Sequence, residues 1–218
     1  FSEEIPSGLQ KSLREKILDD FKNLFDKNLI KSKKSFSLSS PNRVVIVFED
    51  LDKLISTQSE EIRGPKIEAP EQAIEGFVRS NKIERKNLYK KKTEKGEFYF
   101  YQTEAQSLKT YDFLIEFIPK ILANYQWKKS MKWGEFDLKW GRPLKSILSL
   151  FDKKLVSFQF HHVSSSNSTF IDKDFEEKKK IFTEFKSYER YFKKLGVLID
   201  QSKREEKIKR EFSRILSK

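Results

Sequence analysis

Aromatic and basic side chains alternate in one short stretch of this sequence. All three tryptophans fall between positions 127 and 140. Four basic residues accompany them: Lys128, Lys129, Lys132 and Arg142. Cationic side chains can hold a phosphate backbone while aromatic rings stack on bases, so this stretch is a candidate nucleic-acid surface. The alternative is structural, with Trp133 and Trp140 anchoring a loop in the core while the lysines point to solvent. Gly134 and Pro143 favour the structural reading of the tryptophans, because they indicate a packed turn.

Side chains suited to catalysis are scarce. The two histidines, His161 and His162, are adjacent on a predicted strand and point to opposite faces, so they cannot share one metal ion. The sequence has no cysteine, no phosphate-cradling glycine-rich loop and no serine in a glycine-flanked elbow. Adjacent carboxylates, as at Glu3 and Glu4, do not converge as acid/base chemistry requires. We therefore predict no catalytic residue and no metal site, and a core or interface role for His162.

The composition indicates a folded, basic protein. Of the 218 residues 37% are hydrophobic, which is enough for a core, and the net charge is +12. That charge is compatible with a nucleic-acid partner or with a solvated lysine-rich exterior. No apolar run approaches the ~18 residues of a membrane span and no signal peptide is visible, so we expect a cytoplasmic protein without membrane contact. Because the sequence starts at Phe1 and ends on Lys218 after a charged helix, we expect a fragment of a longer chain.

Apolar residues spaced three and four positions apart predict four clear helices. Their ranges are 9–25, a short helix from Ala69 to Val78, 111–125, and a long helix from about 174 to 195. Ser202 and Glu205 form a capping-box pair that opens a fifth helix, in which four apolar residues are expected to face inward. These four are Ile208, Phe212, Ile215 and Leu216.

Short apolar or aromatic runs predict the strands. The clearest are Val44–Phe48, expected to be buried, and Phe98–Tyr101, which follows a turn at Lys95-Gly96. Residues 156–162 alternate as one further strand, and 144–151 is either helical or extended. Polar linkers or turns are expected at 31–40, 63–65 and 164–169. The interspersed helices and strands predict an α+β fold: mixed short-stranded sheets with packed helices, ending in a helical segment.

Several of these segments, taken in order, resemble the β subunit of the bacterial heterotetrameric glycyl-tRNA synthetase. Each motif is weak alone, but their common order and spacing cover nearly the whole chain. The matching segments are Glu3-Glu4-Ile5-Pro6, Pro41-Asn42-Arg43-Val44, Arg63-Gly64-Pro65, Gly76-Phe77, Lys95-Gly96-Glu97-Phe98, Met131-Lys132-Trp133-Gly134, Arg142-Pro143 and residues 195–200. The family's first strand would precede Phe1, and its Gly-His-Arg-Phe segment is replaced here by residues 164–170.

The resemblance implies a non-catalytic part of an enzyme that loads glycine onto tRNA. It implies residues 1–160 as an α+β N-terminal domain and 161–218 as a helical extension leading to domains beyond this sequence. In that family the α subunit uses ATP with magnesium, so no cofactor is expected on this chain. The implied partners are the α subunit, tRNA(Gly) and the remaining β-subunit domains, in a heterotetramer.

The resemblance also separates motif positions from the candidate contacts to tRNA. We expect Lys128, Lys129, Lys132 and Arg142 to contact tRNA, and the motif positions to be structural. The structural set comprises Glu4, Pro6, Arg63, Gly64, Pro65, Gly76, Phe77, Gly96, Trp133, Gly134 and Pro143. Two other functions remain open: a purely structural module that docks the α subunit or the rest of β, and a free-standing hydrolase that uses His161 or His162.

Overall fold

A computed structural model of the chain describes residues 1–56, 59, 61–94, 96–103, 107–171 and 179–217. The α-helices in these ranges are α1 (Ser7–Lys27), α2 (Glu71–Ser80), α3 (Thr110–Asn124), α4 (Phe185–Lys194) and α5 (Gln201–Leu216). The first strands are β1 (Lys34–Ser40), β2 (Arg43–Glu49), β3 (Leu54–Ser56), β4 (Glu61–Lys66), β5 (Leu88–Thr93), β6 (Gly96–Gln102) and β7 (Ser107–Lys109). The later ones are β8 (Ile147–Leu148), β9 (Leu150–Phe151), β10 (Lys154–Leu155), β11 (Gln159–Phe160), β12 (Val163–Ser166), β13 (Ser168–Phe170) and β14 (Lys179–Ile181). The predicted α+β class with a terminal helix is confirmed.

The chain forms two compact units. Unit 1 comprises residues 1–53 and 109–218, and unit 2 comprises 54–108. By sequence, unit 2 has ten Lys and Arg against nine Asp and Glu, so eleven of the twelve net positive charges belong to unit 1. The predicted division of the subunit at residue 160 stays a prediction, and the compact units within this chain follow a different division.

In unit 1 an antiparallel hairpin lies between two helices. Strands β1 and β2 pair in the register Phe36↔Val47 and Leu38↔Val45, so these four side chains share one face. That face packs against α4, where Phe192 is completely buried. The other face carries Phe48, whose ring lies 4.8 Å from the ring of Phe25 on α1. Alternate side chains of the two strands thus pack into two separate apolar layers, one on each face of the hairpin.

Arg43, at the start of β2, ties four segments of unit 1 together. Its guanidinium lies 4.7 Å from the ring centre of Phe1 and 4.3 Å from that of Phe192 on α4. It also donates hydrogen bonds to the carbonyl oxygens of Phe170 at 2.8 Å and Ile171 at 2.7 Å. Only 3% of Arg43 is exposed. Nearby, burial raises the pKa of Tyr188 to about 12, and the charge of Arg43 opposes that rise.

Unit 2 contains a three-stranded antiparallel sheet in the order β4-β6-β5. The aromatic pattern predicted a strand here, and β6 is that strand. Its residues Phe98 and Phe100 are buried. Gly96, the first residue of β6, has φ +116°, a backbone conformation that glycine adopts readily and other residues rarely adopt. Lys95, the other half of that predicted turn, lies outside the described residues.

Several sequence-based expectations are wrong in their local structure. The polar stretch 31–40 contains strand β1 instead of a linker, because Phe36 and Leu38 alternate with serines and pair with β2. Residues 63–65 lie within strand β4, where a bulge separates Arg63 from Lys66. The predicted polar loop 164–169 contributes to β12 and β13, and the hydroxyls of Ser166 and Ser168 hydrogen-bond to each other at 2.9 Å. The ambiguous 144–151 stretch is extended in β8 and β9.

The two C-terminal helices also differ from the prediction. Residues 179–181 form β14 and α4 begins only at Phe185, while 174–178 lie outside the described residues. Helix α5 is capped by Asp200, whose carboxylate accepts from the amides of Ser202 and Lys203, and not by Ser202 itself. The four residues expected to face inward on α5 are 61–71% exposed. These are Ile208, Phe212, Ile215 and Leu216.

Replacing Arg43 by Met should destabilise unit 1 strongly. Met keeps much of the apolar stem but leaves the carbonyls of Phe170 and Ile171 without these donors, at a cost of about 2–4 kcal/mol in unfolding free energy. Urea denaturation measures this, with Arg190→Met on the exposed face of α4 as a control expected within ~0.5 kcal/mol of wild type. Equal stability of the two variants would show that Arg43 does not hold these segments together.

Candidate nucleic-acid interface

The tryptophan-rich segment forms a pinned loop. The amide of Met131 donates to the carbonyl of Trp140 at 2.9 Å, and the amide of Trp140 donates to that of Met131 at 3.2 Å. Gly134 turns the chain inside this loop with φ +56°. Because both ends are fixed by a two-way backbone bridge, the loop presents its side chains in defined directions.

Aromatic packing beneath the loop holds it to unit 1. Trp140 is buried, with its ring 5.0 Å from that of Trp127 and 5.8 Å from that of Phe160. The Trp127 ring covers Gly141 so closely that a Cβ there would lie 2.1 Å from its Cζ3 atom. Trp140 therefore anchors the loop in the core, which is the structural alternative given above. Position 141 needs a glycine because a larger residue would clash with the Trp127 ring.

His162 also belongs to this packing. Its ring stacks on Phe136 at 3.9 Å between centroids and meets Trp133 edge-on at 5.7 Å. Its Nε2 atom lies 3.1 Å from the carbonyl oxygen of Leu144. Trp133 is only half-buried. These contacts give His162 an anchoring role, and it is not adjacent to a nucleophile in any described contact.

The four predicted contact residues differ in their availability. Lys128 and Lys129 are exposed and have no ion pair among the described residues. Lys132 is paired with Asp137 at 2.9 Å, and this hydrogen bond lowers the pKa of the Asp137 carboxyl. Arg142 is half-buried and donates to the carbonyl of Gly141. Lys128 directly follows Trp127, and Arg142 directly follows Gly141. Because Trp127 and Gly141 are in contact, the structure brings Lys128 and Arg142 together more firmly than the other two residues.

Most family-motif positions have structural contacts. In unit 2 the guanidinium of Arg63 lies 3.6 Å from the Phe98 ring centre. A Cβ on Gly64 would lie 2.9 Å from the Phe77 ring, so α2 packs directly over this glycine. Gly76 has nothing within 4 Å of an added Cβ, and the structure gives no packing reason for it.

The remaining motif positions lie in the two units at element ends or within strands. Pro6 precedes α1 as its N-cap, and the Pro143 carbonyl accepts from the amide of Glu3 at 3.0 Å. Pro65 lies in β4 at the bulge, and Glu4 is exposed. The structural role expected of the whole set stays a prediction.

Sequence reasoning missed a second basic surface, which lies on α4. Its members occupy one side of the helix, at steps of three and four residues, and all are exposed. We call them the α4 basic face: Lys186, Arg190, Lys193 and Lys194. The spacing of these four basic residues could have indicated the surface. It was missed because one long helix was predicted from 174, and this hid where the amphipathic pattern begins.

The α4 basic face is held rigidly and is not neutralised. The opposite side of the helix is buried through Tyr188 and Phe192. Among the described residues the face forms no ion pair, whereas Glu189 on the same helix pairs with Lys203 of α5 at 3.1 Å. Like charges three and four residues apart destabilise a helix by a few tenths of a kcal/mol per pair. This arrangement leaves four cations available to an anionic partner.

Neither a metal-binding cluster nor a membrane-spanning helix accompanies these surfaces in the part of the chain that the structure describes. No group of three or more histidine or carboxylate side chains there could hold a metal ion. None of the described helices is long and apolar enough to cross a lipid bilayer. Fold and surface together define a basic α+β protein with two exposed cationic surfaces.

Comparison with known proteins identifies the family. A family model described as the glycyl-tRNA synthetase beta subunit matches residues 1–218. A glycine–tRNA ligase beta subunit of Rickettsia bellii is 35% identical over 209 residues, covering 96% of this chain and 32% of that protein. The corresponding subunits of Rickettsia conorii and Rickettsia typhi are 34% and 35% identical, covering 96% of this chain and 31% of their own lengths.

The chain belongs to the glycyl-tRNA synthetase β-subunit family. This confirms the resemblance that the ordered motifs indicated. The chain spans about a third of the length of the curated relatives it matches.

Gly141→Ala should destabilise the loop, since the new Cβ would force the Trp127 ring away from Trp140. Overpacking of this kind typically costs about 1–3 kcal/mol. Gly76→Ala is the matched control: it lies in a helix with open space, and is expected to be neutral or stabilising by ~0.5–1 kcal/mol. Denaturant unfolding followed by tryptophan fluorescence compares the two. A Gly141→Ala protein as stable as wild type would mean that the tryptophan packing is loose.

Proposed function

We propose that this chain is an N-terminal part of the β subunit of a glycine–tRNA ligase and supports tRNA binding and subunit assembly for aminoacylation. The observation that carries the proposal is the pair of fixed, largely unneutralised basic surfaces on unit 1, which holds eleven of the twelve net charges. Phosphate groups of tRNA are the complementary partner, because cationic side chains that replace condensed counterions supply sequence-independent affinity.

In this proposal the chemistry belongs to the α subunit. ATP with magnesium would be used there, and this chain would contribute no catalytic group. The partners are the α subunit, tRNA(Gly) and the remaining β-subunit domains, in a cytoplasmic heterotetramer. Family membership and the surfaces just described support this assignment.

Both surfaces are suited to binding phosphate groups. Lys128 and Lys129 follow half-buried Trp127 and lie just before Met131, where the pinned loop begins. The α4 basic face spaces its charges about one helical turn (~5.4 Å) apart. Lysines act on phosphates as point charges, so both surfaces are expected to bind without reading the base sequence.

A docking module is the second candidate, and the exposed apolar residues of α5 favour it. Ile208, Phe212 and Ile215 repeat on one side of that helix with 61–70% exposure. Such a stripe is typical of a helix that packs on a partner. Replacing Phe212 and Ile215 by Ser would then abolish capture of the α subunit or the rest of β while leaving tRNA binding unchanged.

The chain alone should neither activate glycine nor charge tRNA. We expect this because the described residues include no catalytic constellation and because the family resemblance implies chemistry on the α subunit. Glycine-dependent ATP–pyrophosphate exchange and aminoacylation are measured with the purified chain and with the reconstituted ligase as positive control. Exchange activity that stays with the chain alone would contradict the proposal.

Neutralising the basic surfaces should flatten the salt dependence of tRNA binding. Each lost phosphate contact reduces the log–log slope of affinity against salt by about one. We expect a fall of ~2 for Lys128, Lys129 and Lys132 changed together to Gln, because Lys132 is already paired with Asp137. For Lys186, Lys193 and Lys194 changed to Gln, we expect a fall of ~2–3.

The matched control removes three exposed lysines from α1: Lys11, Lys22 and Lys27. It has the same charge change and should leave the slope unaltered if binding is confined to the two surfaces. An equal loss in all three variants would assign the affinity to net charge alone. Unaltered slopes in both test variants would leave the docking module as the better description.

A further inference from the structure

Strand β4 of unit 2 carries two exposed cations on one face because of its bulge. Arg63 pairs with Phe100 of β6, and Lys66 pairs with Phe98, so three steps along β4 correspond to two along β6. In a regular antiparallel ladder Pro65 would lie opposite Phe98, and Lys66 would point to the other face. The extra residue of the bulge therefore brings Lys66 to the face that already carries Arg63.

Both cations lie over the same aromatic ring, and we call them the β4 cation pair: Arg63 and Lys66. The guanidinium of Arg63 lies 3.6 Å from the ring centre of Phe98, and the Nζ atom of Lys66 lies 5.9 Å from the same point. Stacking on the ring fixes the plane of the guanidinium and leaves its N–H groups free to donate to an anion. Among the described residues neither cation has an ion pair or a side-chain hydrogen bond. Two like charges thus converge without a counter-ion.

The third described cation on this face, Lys91 of β5, is neutralised. Its Nζ atom donates to both carboxylate oxygens of Glu61, at 2.6 and 2.8 Å, and the Tyr89 hydroxyl donates to the same carboxylate at 2.5 Å. The hydrogen bonds from Lys91 and Tyr89 lower the pKa of Glu61, so this carboxylate stays ionised beside Lys91. Of the three cations, only the β4 cation pair therefore lacks a counter-ion.

The aromatic floor beneath the β4 cation pair is closed to bases. Phe98 and Phe100 are only 5% and 6% exposed, so a base could not stack on either ring without displacing the side chains above it. The face offers charge and N–H donors instead, which suit a phosphate backbone and not base edges. Unit 2 is also nearly neutral, with ten Lys and Arg against nine Asp and Glu, so the pair is a local feature and not part of a general positive charge.

We propose that Arg63 and Lys66 form a phosphate clamp that holds one phosphate group of a bound RNA. The Arg63 fork donates two N–H groups in one plane, and the Lys66 ammonium adds a point charge from a second direction, which suits the tetrahedral oxygens of a phosphate. The clamp is separate from the two surfaces of unit 1, and its assignment to RNA rests on the proposed function. Arg63 keeps the ring contact of a structural residue and gains a ligand on its free side.

The salt dependence of tRNA(Gly) binding tests the clamp in the whole chain. Arg63 and Lys66 are changed together to Gln, and Lys66 is also changed alone, because Lys66→Gln leaves the stack of Arg63 on Phe98 in place. The matched control changes Lys90 and Lys92 to Gln, since both are exposed and lie on the opposite face of the same sheet. We expect the log–log slope to fall by ~2 for the double variant and by ~1 for Lys66→Gln, and to stay unaltered in the control. Thermal unfolding verifies that each variant is folded.

Inorganic phosphate tests the clamp without RNA. The Nε–Hε signal of Arg63 in the isotope-labelled chain is followed by NMR as phosphate is added at constant ionic strength, with acetate as a carboxylate probe. We expect phosphate to shift this signal saturably in the original chain and in the Lys90 and Lys92 control. In Lys66→Gln we expect phosphate to bind ~3–5-fold more weakly, as the loss of one exposed ion pair implies. Acetate should shift the signal only weakly.

These two measurements separate failure of the clamp from failure of the proposed function. Equal slopes in the double variant and the control, with tRNA still bound, would contradict the clamp and leave the proposed function standing. A saturable phosphate response in a chain that does not bind tRNA would contradict the proposed function and overturn the assignment to RNA in favour of a free phosphate compound. An acetate response as strong as that to phosphate would overturn the clamp in favour of a carboxylate from a protein partner.

Discussion

Unit 1 depends on a buried arginine that contacts several segments at once, although these segments are far apart in the sequence. Arg43 lies between the rings of Phe1 and Phe192 and donates to two carbonyls at the end of β13. A buried charge is tolerated only where hydrogen bonds and polarisable neighbours replace water. The planar guanidinium can stack and donate in a fixed fork, which a lysine ammonium cannot do. The residue therefore fixes where the N-terminal segment, the hairpin and α4 meet.

The basic surfaces follow from this packing. Helix α4 is oriented by Phe192 and Tyr188, which face Arg43 and the hairpin, so its four cations are held toward solvent. In the same way, the packing of Trp127 on Trp140 holds the chain at the point where Lys128 and Lys129 follow. Rigid charges bind a polyanion at a lower entropic cost than charges on mobile chains, because less freedom is lost on association. The core thus determines which of the many lysines are presented as an ordered surface.

Local patterns in the sequence predicted much of this fold. Helices α1 and α3 and strands β2 and β6 were recoverable because their apolar periodicity is strong. Strand β1 was missed because its serines mask two apolar positions, and only pairing with β2 defines it. Asp200 was missed as a helix cap because a neighbouring Ser–Glu pair fits the capping-box pattern better. The exposed stripe on α5 shows that periodicity reveals an apolar side but not what covers it.

The candidate site was recoverable only in part. Composition found the tryptophan loop and its four basic residues, but it could not show that Asp137 neutralises Lys132. The α4 basic face was hidden because its helix was predicted to begin about ten residues too early. Both errors concern which charged side chains are exposed and without an ion pair in the folded protein. That property depends on packing between segments and is not encoded in local spacing.

Lysine acetylation with and without bound tRNA(Gly) tests the central claim most directly, because it reports each lysine separately by mass spectrometry. The account predicts that tRNA protects Lys128, Lys129, Lys186, Lys193 and Lys194, and leaves Lys11, Lys22 and Lys27 on α1 fully reactive. Uniform protection of all these lysines, or protection confined to α1, would contradict it.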